Sequence, residues 1–308
     1  MTGDSRTRRP ADGDRPADGG RATDGDRAPG GTGTGLDAGE LASFLDAEVT
    51  GPGATVTGVG SLADAGPNDL AFCTYDDPDA VRASDAGVVV CGRSIPALRG
   101  RTLVRVERPK PAFVEAANEF FVDGVTETTV HPSAVVEPGA TVGERCRIGA
   151  NAYVADCVTI GDGCSIGPGT VLGETGFGFA RTDDDSLSRQ VHDGEVVLED
   201  DVAVGANCSI DRAVFDETVV RRGAKLSGNV HLAHQVEVGE DVTVAFGSGF
   251  AGGATVGART TVHPQVSVAT DVVVGADAEL GMNAAVLEDV PAGTTVVGSP
   301  ARPLGDSA

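Results

Sequence analysis

The 308-residue sequence predicts a mainly β chain: a parallel β-helix of hexapeptide repeats, preceded by a small α/β domain. Three observations carry this. Aliphatic residues recur at every sixth position through most of the chain beyond residue 125. Glycine is abundant at 44 residues, while Trp is absent and only two Tyr occur. That composition suits tight turns around small inward side chains better than a bulky mixed core. Finally, the first part of the chain carries the helical and strand-like apolar runs that the second part lacks.

Residues 1–35 repeat variants of "ADGDRP" without apolar content, and their six Arg balance six Asp. With nothing to bury, this tail is expected to be disordered. Order begins near "LDAGELASFLDAEV". Asp37 caps a helix, with Glu40 as its capping-box partner, and Leu41, Phe44 and Leu45 share its apolar face. "DLAFCTY", "AGVVVCG" and "GRTLVRV" read as short buried strands between Gly and Pro turns. In "RPKPAFVEAANEFFVD", Pro111 suits a first helical turn, and Phe113, Ala117 and Phe120 form an apolar stripe. These elements define an α/β domain over 36–125. The β-helix follows over 126–290, and a C-terminal tail over 291–308.

The hexad positions are Val130, Val136, Val142, Ile148, Val154, Ile160, Ile166 and Leu172, then Leu198, Val204 and Ile210. The third run is Val220, Leu226, Leu232, Val238, Val244, Phe250, Val256, Val262, Val268, Val274, Leu280 and Val286. Each hexad supplies one short strand and a turn, and three make a triangular coil, giving between seven and eight coils. The period-six aliphatics point inward and stack on their equivalents in neighbouring coils. Two breaks interrupt the rhythm. Leu172 to Leu198 is two residues longer than four hexads, so "GETGFGFARTDDDSLSRQVHDGEVV" should project as a loop. Ile210 to Val220 is two residues short of two hexads. Loops that leave a solenoid are natural binding places, and two aromatics beside two glycines in "GFGF", Phe177 and Phe179, point the same way.

There are 46 acids against 23 bases, a net charge of −23, which excludes a general affinity for nucleic acid or anionic membranes. Because the tail is neutral, the charge belongs to the folded part. Lys110 and Lys225 are the only lysines, and this acid-rich balance resembles proteins adapted to high internal salt. No apolar run approaches the roughly 20 residues needed to span a bilayer, and "MTGDSRTRRP" lacks a hydrophobic signal core, so a cytoplasmic location is expected. The six cysteines form no CxxC pair and read as small reduced core residues, with neither zinc nor disulfides.

Five histidines occur. His131 and His263 each precede Pro in a "V-H-P" turn and read as structural. His192 lies in the first break, with no role assigned. His231 and His234 stand together in "NVHLAHQ". The separation of His234 from His263 is not a multiple of the eighteen-residue coil, which argues against a three-histidine metal site. Arg212, Arg221, Arg222 and Lys225 form a basic cluster. They either pair with Asp211, Asp216 and Glu217 or contact the phosphates of a nucleotide or pantetheine carrier.

The stretches "LASFLDAEVTGPG", "VTGVGSLADAGPNDLAF", "VHPSAVV", "GFGFA", "IDRAVFDETVV" and "KLSGNVHLAHQVEVG" resemble, in order and spacing, the UDP-3-O-acylglucosamine N-acyltransferases of the lipid A pathway. The resemblance covers residues 36 to about 290. It implies a left-handed coil, an exception to the usual crossover hand, and a homotrimer with active sites in clefts between adjacent subunits. It implies transfer of an acyl group from a carrier-protein or coenzyme A thioester to the amine of a UDP-amino sugar, with no bound cofactor. It also implies that the N-terminal domain holds the uridine, Phe72 matching the family's aromatic and Tyr75 substituting for a second one. His234, in "LAHQ", falls on the histidine of the family's "I-A-H-N" motif and is the implied general base. The chemistry requires one: an amine attacking a thioester must lose a proton, and an imidazole with a pKa of about 6.5 accepts it at neutral pH. Phe177, Phe179, His231 and Lys225 are the further substrate-binding candidates, and Arg212, Arg221 and Arg222 the phosphate or carrier contacts. The chain departs from the family in three places: "KLSGN" stands for "K-L-D-N", a second family histidine about two coils downstream is absent and "VATDVVVG" offers Asp271 nearby, and "VVGSPARPLGDSA" stands where the family often has a C-terminal helix. An acetyl-CoA-dependent sugar acetyltransferase and a catalytically silent trimeric β-helix scaffold are the alternative readings.

Overall fold

The computed structural model describes residues 35–304. The tail expected to be disordered, apart from Gly35, lies outside the described residues, as do residues 305–308. The chain divides into two compact units, Met1–Gly124 and Val125–Ala308.

The first unit is built on a five-stranded sheet in the order Glu48–Thr50, Thr102–Val106, Val88–Gly92, Asp69–Phe72, Gly58–Val59. Glu48–Thr50 pairs antiparallel and the other pairings are parallel. Side-chain alternation sorts the central strands onto two covered faces. Leu70, Val88, Val90 and Val104 pack with Leu41 and Ala116 of the flanking helices. Ala71, Val89, Cys91 and Leu103 pack with Val81 and Ile95 on the other side. Helix Ala38–Phe44 starts where the sequence places it, the Asp37 carboxylate accepting from the Gly39 N–H at 2.8 Å. The reciprocal bond from Glu40 is not formed; Glu40 is exposed, and Asp37 instead pairs with Thr55 in a two-stranded ladder. On helix Pro109–Phe121 the fully buried residue is Ala116 rather than Ala117. Phe113, Ala116 and Phe120, spaced by three and four, form the inward stripe.

The second unit is a left-handed parallel β-helix with three faces. One face carries seven strands and another eight, all parallel; the third has ten, the last of which, Arg302–Pro303, runs antiparallel. Equivalent residues of successive coils stand opposite each other, as in Ile148 on Ile166 and Leu226 on Val244. The period-six aliphatics from Ile148 to Val286 are all buried. Val130 is 47% exposed and Val136 and Val142 are half-buried, because no coil precedes theirs. The coil continues past residue 290: Thr295–Val297 pairs in parallel with Glu279–Leu280, burying Val296. Among the described residues no helix is long and apolar enough to cross a membrane.

Three of the cysteines, Cys146, Cys164 and Cys208, share one job with Thr170 and Thr260. Each lies two residues before an inward aliphatic and donates to a turn carbonyl of the following coil. Cys164 Sγ reaches Glu199 O at 3.1 Å, Cys208 Sγ reaches Ser227 O at 3.1 Å, and Thr170 Oγ1 reaches Gly205 O at 2.6 Å. Small donors therefore satisfy acceptors that packing would otherwise strand. Burial pushes the Cys164 thiol up to about 11.

The first break in the hexad rhythm is ordered. It holds an antiparallel hairpin, Phe179–Arg181 with Leu187–Arg189. The strand leading into it, Val171–Thr175, pairs with Ser209–Arg212, but the register slips between Leu172 and Glu174. Gly173 fills that slip at φ +85°, a left-handed conformation that favours glycine. The bulge brings Glu174 opposite Asp211 and Thr175 opposite Arg212, so the ladder extends two steps past the inward Ile210.

Candidate active site

The eight-stranded face stacks Ser209–Arg212, His231–Leu232, Gly249–Phe250 and Ser267–Val268 in that order. Leu232 points inward, so strand alternation turns His231 outward. On the next rung Gly249 stands opposite His231 and offers no side chain. The space left open is part of a cavity of about 470 Å³, whose walls include Phe177, Asp211, His231, His234, Gly252 and Thr270.

Asp211 is the buried charge of this site, its side chain 8% exposed. Its Oδ2 lies 3.7 Å from His231 Nε2, and its Oδ1 accepts from the Ser209 hydroxyl at 3.3 Å. Burial pushes its carboxyl above the ordinary carboxylate range, against the opposing pull of His231, the Ser209 hydroxyl, His234 and His192.

His234 stands in the turn after Leu232. Its Nδ1 lies 3.1 Å from Gln235 Oε1. A carbonyl oxygen only accepts, so Nδ1 carries the proton and Nε2 keeps the lone pair. Gln235 is itself fixed at φ +60°, its N–H donating to the buried Thr218 hydroxyl at 2.8 Å. Room for the ring comes from Gly252, one coil on: a Cβ there would sit 2.3 Å from His234 Cε1 and 2.7 Å from Nε2. The Gly252 N–H makes no backbone hydrogen bond among the described residues and lines the same cavity.

The structure brings Phe177, His231 and His234 of the sequence candidates to one cavity. Phe177 is 88% exposed and stands edge-on to Phe179 at 5.2 Å, while the Arg189 guanidinium lies 4.8 Å over the Phe179 ring. Other candidates stand elsewhere. Lys225 is on the ten-stranded face, where its ammonium bonds the Asp201 carbonyl. Arg221 bridges Glu199 and Glu237, each at 3.0 Å, with Glu217 at 3.9 Å. Arg212 Nε donates to Gly194 O at 3.1 Å, and Arg222 is exposed. His263 faces Glu279 at 2.8 Å on the ten-stranded face. Thr270 rather than Asp271 lines the cavity. In the first unit, Phe72 is half-buried against Phe113, ring centroids 4.6 Å apart, and Tyr75 is 81% exposed. His192 and Gly252 had no assigned role in the sequence, and Asp211 was weighed only as an ion-pair partner of the basic cluster; it stands beside His231 instead. Asp211 was legible in principle, because aligning Ile210 with Leu232 sets it beside the rung of His231. Among the described residues no group of three or more His, Cys, Asp or Glu is arranged to hold a metal ion.

An outward imidazole beside a buried carboxylate, in a cleft on a left-handed hexad coil, places the chain among the hexapeptide acyltransferases. The bacterial transferase hexapeptide model (six repeats) matches residues 139–174. A UDP-3-O-acylglucosamine N-acyltransferase of Anaeromyxobacter sp. (strain Fw109-5) is 35% identical over 71% of this chain and 74% of its own. One from Neisseria meningitidis serogroup B is 32% identical over 70% and 73%. A solved UDP-N-acetylglucosamine acyltransferase from Campylobacter jejuni, 21% identical, covers 57% of this chain and 74% of its own with a TM-score of 0.47. The chain belongs to the UDP-3-O-acylglucosamine N-acyltransferase family.

Proposed function

We propose that the protein transfers an acyl group from a thioester donor to the amine of a UDP-amino sugar, with His234 as general base. The observation that carries this is the Nδ1 bond of His234 to Gln235, which leaves the Nε2 lone pair for a proton at the edge of the cavity. The amine nitrogen attacks the thioester carbon and passes its proton to His234 Nε2. The C–S bond then breaks, and the departing thiolate recovers that proton, giving an amide and a free thiol. The buried Asp211 supplies negative charge beside the imidazoles as His234 becomes cationic. The Gly252 N–H, which makes no backbone hydrogen bond among the described residues, is a backbone donor open to the carbonyl oxygen as it gains charge.

The donor is an acyl carrier protein or a coenzyme A thioester. Arg212, Arg221, Arg222 and Lys225 are the candidates for its phosphates or for those of the nucleotide, Arg222 being the exposed one of these three arginines. Phe177 and Phe179 present apolar surface to the acyl chain or sugar. Phe72 and Tyr75 are the aromatics that the first unit offers to a uracil. Exposed Phe215, Phe246, Met282 and Leu287 on the coil fit burial in a homotrimer, and soluble nucleotide-sugar and thioester substrates fit a cytoplasmic location. Sedimentation at micromolar concentration in molar salt should give a trimer; a monomer would remove the intersubunit site. Purified protein should be screened by mass spectrometry against UDP-amino sugars with acyl-carrier, acyl-CoA and acetyl-CoA donors. Acylated UDP-amino sugar is the expected product. Transfer from acetyl-CoA alone would favour the acetyltransferase alternative, and no product from any donor would favour a silent scaffold.

A further inference from the structure

His192 closes the hairpin excursion and is 8% exposed. Its Nδ1 lies 3.0 Å from the Gln190 carbonyl, which only accepts, so Nδ1–H donates there. Its Nε2 is buried and has no hydrogen-bond partner among the described residues. The ring packs edge-to-face on His234, centroids 5.5 Å apart at 68°. Two glycines of the excursion leave room for it. A Cβ at Gly176 would sit 3.0 Å from His192 Nε2 and 3.2 Å from Asp211 Oδ2, and one at Gly178 would sit 2.8 Å from His192 Cε1.

The base needs such a neighbour. Among the described residues the only hydrogen bond of the His234 ring is to the side chain of Gln235, which is exposed. One bond from a solvated amide fixes the ring loosely, because rotation about χ2 of a histidine is soft. Gly252 makes space for the ring but has no side chain to hold it. An apolar ring would fill the place of His192 without burying an unpaired nitrogen, so fold stability alone does not account for a histidine there.

We infer that His192 is a positioning residue: clipped to the hairpin through Nδ1–H, it braces the His234 ring so that Nε2 stays on line with the attacking amine. The excursion thereby acts on the base through one packed ring pair. This rests on His234 being the base. The titratable and charged groups around His192 are Asp211 on the next rung, His231 and His234, and Arg189 of the hairpin, which donates to Gly176 O at 3.4 Å.

The test compares His192→Ala, His192→Phe and His234→Ala in the full-length protein, with melting temperature and steady-state kinetics. Misplacement of a reacting group by about an ångström costs on the order of 10²-fold. His192→Ala should therefore lower kcat by about 10–100-fold with the acceptor KM within about twofold. His192→Phe keeps the ring contact but loses the Nδ1–H bond to Gln190 O, so it should recover part of that loss, whatever it does to the melting temperature. The inference is overturned if His192→Ala keeps kcat within threefold of wild type, if its loss falls in KM alone, or if His192→Phe is as slow as His192→Ala. Full activity of His234→Ala would instead overturn the base assignment beneath it, so the two failures are distinguishable.

Discussion

The coils between Glu237 and Val286 and the stretch between Leu172 and Val220 are built on the same inward ladder, yet only the second breaks step. In the regular coils every hexad closes on schedule, and the outer face carries threonines, acids and paired charges such as Arg259 with Asp277 at 2.7 Å. In the irregular stretch a hairpin leaves the coil, a bulge extends the ladder past Ile210, and a carboxylate is buried on the outside of the core. Regular hexads supply stability cheaply and say little about chemistry. The departures from rhythm set Asp211 beside His231 and His192 against His234, the two histidines that the coil presents. Stability and activity should therefore respond to different substitutions, a separation that can be broken or sharpened by experiment.

The largest effect should come from His234→Ala, with turnover lower by about 10²–10⁴-fold and little change in melting temperature. Activity within threefold of wild type would sink the assignment. Its neighbour Leu232, fully buried two residues earlier, should do the opposite. Leu232→Ala should lose about 2–5 kcal/mol of unfolding free energy in denaturant titrations, whereas Phe177→Ala should leave stability within about 0.5 kcal/mol and raise a substrate KM. A third comparison belongs to the first unit. Phe72→Ala should melt early, losing part of the about 3–5 kcal/mol typical of a core Phe, and should also raise the acceptor KM. Tyr75→Ala should raise that KM without a change in melting temperature. Early melting of Phe72→Ala with normal UDP-sugar binding would confine the uracil contact to Tyr75.

The smallest effect concerns Asp211. Its carboxyl is raised in the folded state by burial, so it favours folding in full only below the unfolded value of about 3.9 and loses that contribution as pH rises through the folded value. Asp211→Asn should therefore melt at a higher temperature than wild type at neutral pH, with the gain vanishing below about pH 4, while turnover falls. A variant no more stable at neutral pH would show that contacts with His231 and Ser209 outweigh desolvation.

The period of six made the coil, its inward residues and its two breaks legible, because each hexad repeats one local solution. His234 was legible through the "LAHQ" motif and its place after an inward leucine. His192 was not, and Asp211 only once Ile210 is aligned with Leu232 across the second break, for a geometric reason. Coil register is conserved only while the spacing is eighteen, and both residues lie at breaks where that count fails. Gly252 was hidden differently: its importance is the absence of a side chain beside His234, which no local pattern marks. In the first unit the helix stripe shifts from Ala117 to Ala116 because packing against the sheet selects a face that composition leaves open.

Arg221 gives the coil a property that no single rung has. Each coil touches only those beside it, so a solenoid comes apart as a zipper does, from its ends. The guanidinium of Arg221 ties Glu199, Glu217 and Glu237, which belong to three successive rungs of the seven-stranded face. The rung of His231 is the fifth of eight on its own face, in the same middle stretch. Fraying that starts at either end meets this rivet before it reaches the imidazoles, so the terminal coils can open and close without carrying the base away from its partners.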